Sequence, residues 1–277
     1  MKVLKAIILI TGIMFVATPQ PMQAQSLKRL QKKVNKCFQK KDYQCAADNL
    51  KRMIKKVDDS KRIAVYYNNL ATALRRLDKN QVAMRAYDKA IEHDDSRASF
   101  YIHRGSLAAK MGYNSAARAD YLTAIELDED NRSAIMNLAS LYDEEGEYEK
   151  AKKLLEDWLE QNPKDYQLAS NLANVKKDMG NETEAIADFD KLIENHPDEA
   201  ILYNNRADAK LKAGLYEGAL KDVTKAIELN PDYLTAMVTK GQILLNLDRK
   251  EKACELFKKA VEEGIDPEEV KELQQCD

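Results

Sequence analysis

RSAIMNLASLYDEEGEYEKAKKLLEDWLEQNPKD, residues 132–165, is two apolar helical segments interrupted once. Leu138, Ala139 and Tyr142 keep helical spacing as far as Gly146; Tyr148 and Ala151 resume it, and Pro163 closes the stretch. An apolar stripe of that period buries one helix face, glycine supplies the turn, and proline cannot continue a helix. The same punctuation recurs outward from this stretch. Gly112, Gly146, Gly180 and Gly214 step by 34 residues, as do Pro163, Pro197 and Pro231. Ala83, Ala117, Ala151, Ala185, Ala219 and Ala253 keep the same step. Three interlocked ladders of one period establish an internal repeat, each unit a helix–turn–helix.

Residues 98–131 show the unit again: Tyr101, Gly105 and Ala108, a break at Gly112, then Ala117, Tyr121 and Ala124. Small residues at Gly105 and Ala117 allow two antiparallel helices to approach closely, and Tyr121 fills the space beside them. In residues 200–233 the corresponding set is Tyr203, Ala207, Gly214, Tyr216, Ala219, Ala226 and Pro231. A 34-residue hairpin with small–aromatic–small spacing in its second helix resembles the tetratricopeptide repeat. The resemblance implies an all-α fold, a right-handed superhelical solenoid of about seven units: 27–60, 64–97, 98–131, 132–165, 166–199, 200–233 and 234–267. Asp266-Pro267-Glu268-Glu269 reads as an N-cap followed by proline and acids, so a capping helix is expected over residues 267–275, with Val270 and Leu273 as its apolar stripe. Tyr67, Tyr87, Tyr121, Tyr142 and Tyr203 fall on template core positions and are expected to pack. Trp158 stands where the repeat usually has Ala, so looser packing is expected around it.

The composition agrees with a helical chain. Nine Gly and six Pro in 277 residues exclude a collagen-like or Gly/Pro-rich chain. The charges, 44 Lys+Arg against 46 Asp+Glu, balance only on average. Residues 28–62 hold 13 Lys/Arg and four Asp/Glu, a net +9 against −2 for the whole chain. Ahead of them, Lys2 and Lys5 precede the apolar run Ala6 to Ala17, and Met22-Gln23-Ala24 follows two prolines. That order reads as a secretory signal over residues 1–24, too short to span a bilayer. The expectation is an exported protein, periplasmic or secreted, that does not span the membrane.

An oxidising compartment permits disulfides among the four cysteines. Cys37 and Cys45 flank Lys41 across the turn of the first hairpin, and Cys254 and Cys276 flank Ile265 in the same way. Bridges Cys37–Cys45 and Cys254–Cys276 are expected, each pinning a terminal element; four buried free thiols are the alternative. No Cys or His pair has the spacing of a metal site, and no metal or cofactor is expected.

The family's first helices line an inner surface that binds extended peptides or partner helices, and the resemblance implies such a groove here. Asn69, Asn137, Asn171 and Asn205 occupy one rung of it, with His103 in the missing place. A second ladder is polar throughout: Asn35, Thr72, Ser106, Ser140, Asn174, Asp208 and Gln242. An amide offers donors and an acceptor to a peptide backbone without selecting a charge. Equally, the asparagines could hold adjacent units together. The family's clamp for acidic chaperone termini needs Lys or Arg where this chain has Asn68, Ile102, Met136, Ser170 and Asn204, so that clamp is not expected.

The first unit offers a different surface. Leu27, Leu30, Val34 and Cys37 form its buried stripe, leaving Lys28, Lys32, Lys36, Arg29, Lys33 and Lys40 around the rest of the helix; Lys51, Arg52, Lys55 and Lys56 continue the charge on the second helix. Such a face is either a solvated end cap or an electrostatic dock for an anionic envelope component, or for the acidic remainder of another copy. Nucleic acid is not expected, since no aromatic residues interleave for stacking. Nor is catalysis: GxSxG, HExxH, Walker and GxGxxG motifs are all missing. The expected function is a non-catalytic adaptor binding protein segments in its groove, with docking through the basic first unit as the alternative.

Overall fold

The computed structural model describes residues 20–276, so the expected signal segment 1–24 lies outside the described residues apart from its last five. Among the described residues there are fourteen α-helices, and the chain divides into two compact units, one up to Leu107 and one from Ala108. The first unit holds α1 (Gln20–Gln39), α2 (Tyr43–Ile54), α3 (Ser60–Arg75), α4 (Asn80–His93) and most of α5 (Ala98–Lys110). The second continues with α6 (Asn114–Leu127), α7 (Arg132–Glu144), α8 (Tyr148–Gln161), α9 (Tyr166–Asp178) and α10 (Glu182–Asn195). It ends in α11 (Ala200–Lys212), α12 (Tyr216–Leu229), α13 (Leu234–Asn246) and α14 (Lys250–Glu262).

Each hairpin turns by one device. The N–H of the residue after the turn donates to a carbonyl five residues earlier: Asp42 to Cys37, Lys79 to Leu74, Tyr113 to Ala108, Glu147 to Tyr142, Asn181 to Lys176, Leu215 to Lys210 and Arg249 to Leu244, all at 2.8–3.0 Å. This closure requires a left-handed residue just before the donor. Four of the seven are the glycine ladder, Gly146 among them at φ 73°. Lys41, Asp78 and Asp248 adopt the same conformation at φ 55–57° without being glycine. Gly146→Ala meets no atom within 4 Å, so its penalty is purely conformational. A loss of about 1 kcal/mol in urea denaturation is the expected result.

Helix starts have their own chemistry. Asp59, Asn131 and Asp165 accept from the backbone N–H three residues on, opening α3, α7 and α9. Within the second unit each helix packs on its sequence neighbours, and the first helices α7, α9, α11 and α13 also touch in succession. They form a row. Between the helices of two hairpins a small residue packs with a larger one, Ala173 with Phe189 and Ala207 with Val223, all fully buried. At Gly241 the exchange is extreme, because an added Cβ would lie within 3 Å of three Phe257 ring atoms. Gly241→Ala should therefore cost about 2 kcal/mol by overpacking, read as a lower urea midpoint with Phe257→Leu as partial rescue.

Trp158 does not leave a loose core. It is half-buried against the cluster of Ile135, Leu155, Leu168 and Val175, and its indole N–H donates to Asp165 at 3.1 Å. The end of the chain departs from expectation. Asp266 caps as read, accepting from Glu268 N at 3.0 Å, but residues 267–275 form no α-helix. Pro267–Glu269 and Lys271–Cys276 are two short 3₁₀ turns. Runs this short cannot repay α-helix nucleation, and the break at Val270 lets that side chain bury to 1% exposure against Phe257 and Leu244. Cys276 is paired with Cys254 beside this cluster and Cys37 with Cys45 between α1 and α2, with Cα separations of 5.4 and 5.8 Å, the pairings expected from the sequence.

Candidate functional site

The two polar ladders divide into rungs that serve the fold and rungs that do not. His103 Nδ1 lies 2.9 Å from Asn68 Oδ1, and Asn205 donates to Ser170 Oγ at 3.2 Å. Both contacts join the first helices of successive hairpins, which is the holding-together role. They take up two of the clamp positions, Asn68 and Ser170; Asn204, at a third, is buried like them with 5–7% exposure. Burial, with Arg75 nearby, pulls the His103 imidazole below its ordinary range, so it stays neutral in that tie. Asn69 and Asn137 are half-buried on α3 and α7.

In the second ladder, Thr72 bonds the Asn68 carbonyl and the Tyr87 hydroxyl, and Ser106 bonds the Ile102 carbonyl. Asn35 accepts from Gln31 on the exposed side of α1, Asp208 pairs with Lys177, and Gln242 donates to Glu272 at 3.0 Å. Ser140, Asn171 and Asn174 remain. They converge on one pocket of about 200 Å³ between α7, α8 and α9, lined also by Ala139, Asp143, Glu144, Leu155 and Val175.

Asp143 gives the pocket its character. Its Oδ1 is buried and accepts no hydrogen bond. Burial pushes the carboxyl up, Asp178 adds to the push, and Lys177 and Lys212 oppose it; the net displacement is upward. Lys177 and Lys212 are already taken by Asp208 and Asp178. A buried acceptor with three neutral polar neighbours is an environment for an incoming N–H or a cation. Asp143 and Glu144 lie on neither ladder, which is why the periodic reading passes over them.

On the first unit, Lys28, Lys32, Lys36, Lys51, Arg52 and Lys55 are all exposed, as are the other seven basic residues of 28–62. Those six enter no ion pair among the described residues. Nor, among these residues, does any group of three or more His, Cys, Asp or Glu gather to hold a metal. No described helix is long and apolar enough to cross a membrane.

Residues 92–230 match a family model described as tetratricopeptide repeat. The chain belongs to the tetratricopeptide repeat family. Residues 63–92 and 204–269 match two further models of the same description. A tetratricopeptide repeat protein from Parabacteroides merdae has 28% identity and a TM-score of 0.83, covering 91% of this chain and 98% of that one. PilW, a type IV pilus biogenesis factor, superposes with a TM-score of 0.62 at 16% identity, covering 77% of this chain and 97% of its own. For pilF of Pseudomonas aeruginosa the TM-score is 0.57 at 17% identity, with 78% and 98% covered. At those identities the likeness to these two proteins is one of fold. No curated protein matches the chain. Tetratricopeptide repeats are protein-binding scaffolds.

Proposed function

We propose that the protein is an exported, non-catalytic adaptor that binds an extended protein segment along the first helices of its second unit. The observation that carries this reading is the pocket where Ser140, Asn171 and Asn174 meet the unpartnered Asp143 oxygen. A peptide backbone supplies the donors the carboxylate lacks, and the two amides can answer both its N–H and its C=O groups. A lysine or arginine on the peptide would add a charge-assisted bond. The Lys2/Lys5 and Ala6–Ala17 signal pattern supports export, and an oxidising compartment would maintain the bridges Cys37–Cys45 and Cys254–Cys276.

The test compares the tagged chain with Asn171→Ala/Asn174→Ala in recovery of partners from the native envelope fraction. A protein retained by the wild type and recovered severalfold less by the variant supports the groove. Equal recovery of every retained protein sinks it. Asn205 is the wrong probe, since its amide already ties to Ser170.

A second reading has its own support: docking to an anionic envelope component through the basic first hairpin and the start of α3, residues 28–62, whose thirteen exposed cations exceed the acids there by nine. That contact would weaken steeply with salt, whereas the groove would not.

A further inference from the structure

We infer that the pocket between α7, α8 and α9 is a site for a lysine side chain of the bound segment; the step rests on the groove reading above and names what that groove selects. Among the described residues two carboxylate oxygens are buried without accepting a hydrogen bond, one on Asp143 and one on Glu147. Glu147 has Arg118 and Lys150 as ion-pair partners. Asp143 has neither a lysine nor an arginine. The other half-buried aspartates of the second unit, Asp165, Asp178, Asp188 and Asp208, each meet one. Asp143 is therefore the exception in a unit whose buried acids are paired from within.

The rest of the lining fits the same occupant. Ala139, Leu155 and Val175 are buried and give the pocket an apolar wall, Asp143 and Glu144 give it charge, and no cation lines it. The hollow at the α7–α8 turn differs: Glu147, Glu149 and Asp178 line it, but so does Lys150. A volume of about 200 Å³ is room for about six or seven waters, enough for one long side chain and too little for a helix. Lysine is a flexible four-carbon stem ending in an ammonium, and such side chains lay the stem on apolar surface while the head keeps to polar groups. Arginine suits the pocket less. Its planar fork wants acceptors side by side, best the two oxygens of one carboxylate. Here the buried acceptor is a single Asp143 oxygen, and the neutral oxygens come from Ser140 on α7 and from Asn171 and Asn174 on α9. An ammonium points three donors in different directions and can meet acceptors on separate helices.

The experiment titrates the isotope-labelled chain with Nα-acetyl-lysine amide and follows the side-chain amides of Asn171 and Asn174 by NMR. The norleucine and arginine counterparts of that compound are the controls, one with the stem and no charge, the other with the charge in a planar head. Saturable shifts are expected with the lysine compound, none with norleucine, and binding about fivefold or more weaker with arginine. Asp143→Asn should weaken lysine binding about tenfold or more, and Glu144→Gln, at an exposed position that the fold does not use, should weaken it severalfold. Glu149→Gln, exposed and outside the pocket, should stay within about twofold of wild type. Equal binding of norleucine and lysine, or lysine binding that neither pocket variant weakens, overturns the site; equal binding of arginine overturns the choice of lysine. Absence of any shift with the lysine compound also overturns it. The groove reading survives that result if Asn171→Ala/Asn174→Ala still loses its partner, and it falls separately if that variant captures everything the wild type does.

Discussion

Asp165→Ala is expected to destabilise the second unit by about 3 kcal/mol. One carboxylate performs three tasks there. It opens α9 by accepting from Leu168 N at 3.2 Å, and it receives Arg132 through two bonds of 2.7 and 2.8 Å from the preceding hairpin. It also receives the Trp158 indole N–H at 3.1 Å. The Asp165 side chain is only 12% exposed, so water would replace these bonds poorly. Loss of the cap alone costs about 1 kcal/mol, and stranding a half-buried guanidinium and an indole N–H accounts for the rest. Asp165→Asn separates the parts. It keeps an acceptor for the cap and the indole but not the charge opposite Arg132, and about half the loss should return. Urea denaturation at neutral pH measures both, and a loss below about 1 kcal/mol for Asp165→Ala would show that the junction does not depend on it.

The same residue sets a pH dependence. Burial pushes the Asp165 carboxyl up, but hydrogen bonds from Arg132, the Leu168 amide and Trp158, together with the Arg132 charge, outweigh it and hold the group below its ordinary value of 3.8. A carboxylate with a depressed folded value stabilises above the unfolded value and loses that contribution as pH falls through the folded one. Wild type should therefore approach Asp165→Ala in stability only below about pH 4.

Most of this architecture is legible in residue identities, because a repeat multiplies every signal by the number of its copies. The limits appear where identity and conformation part. A glycine ladder marks four of the seven turns. Lys41, Asp78 and Asp248 take the same left-handed conformation because the packed helices and the closing backbone bond impose it, whatever the side chain. At the candidate site the polar ladders include Ser140, Asn171 and Asn174, which line one hollow. They cannot tell these from Asn205 or Thr72, whose partners sit 35 and 15 residues away in sequence. Asp143 has no periodic signature: the positions 34 and 68 residues on hold Lys177 and Leu211. Its importance comes from burial without a partner, which only the folded arrangement displays.

Asp143→Asn should strengthen the fold and weaken partner capture at once, and the opposed signs are what distinguish a binding residue from a structural one. In the folded state burial and Asp178 raise the carboxyl above its ordinary value. The sign is the reverse of Asp165: the ionised form is disfavoured on folding, a penalty present above the folded value and relieved as pH falls through it. A neutral amide removes the penalty and can donate as well as accept, so urea denaturation at pH 7 should show a gain of about 1 kcal/mol. The gain should shrink on acidification, as the wild-type carboxyl takes up its own proton. Capture should move the other way. An incoming N–H or ammonium would lose a charge-assisted bond, worth roughly tenfold or more in affinity. Natural sequences retain such locally unfavourable groups where function uses them, at the expense of stability. If Asp143→Asn destabilises the chain, the carboxylate belongs to the scaffold. If it stabilises the chain and leaves capture within about twofold, the pocket at α7, α8 and α9 is not where the partner sits.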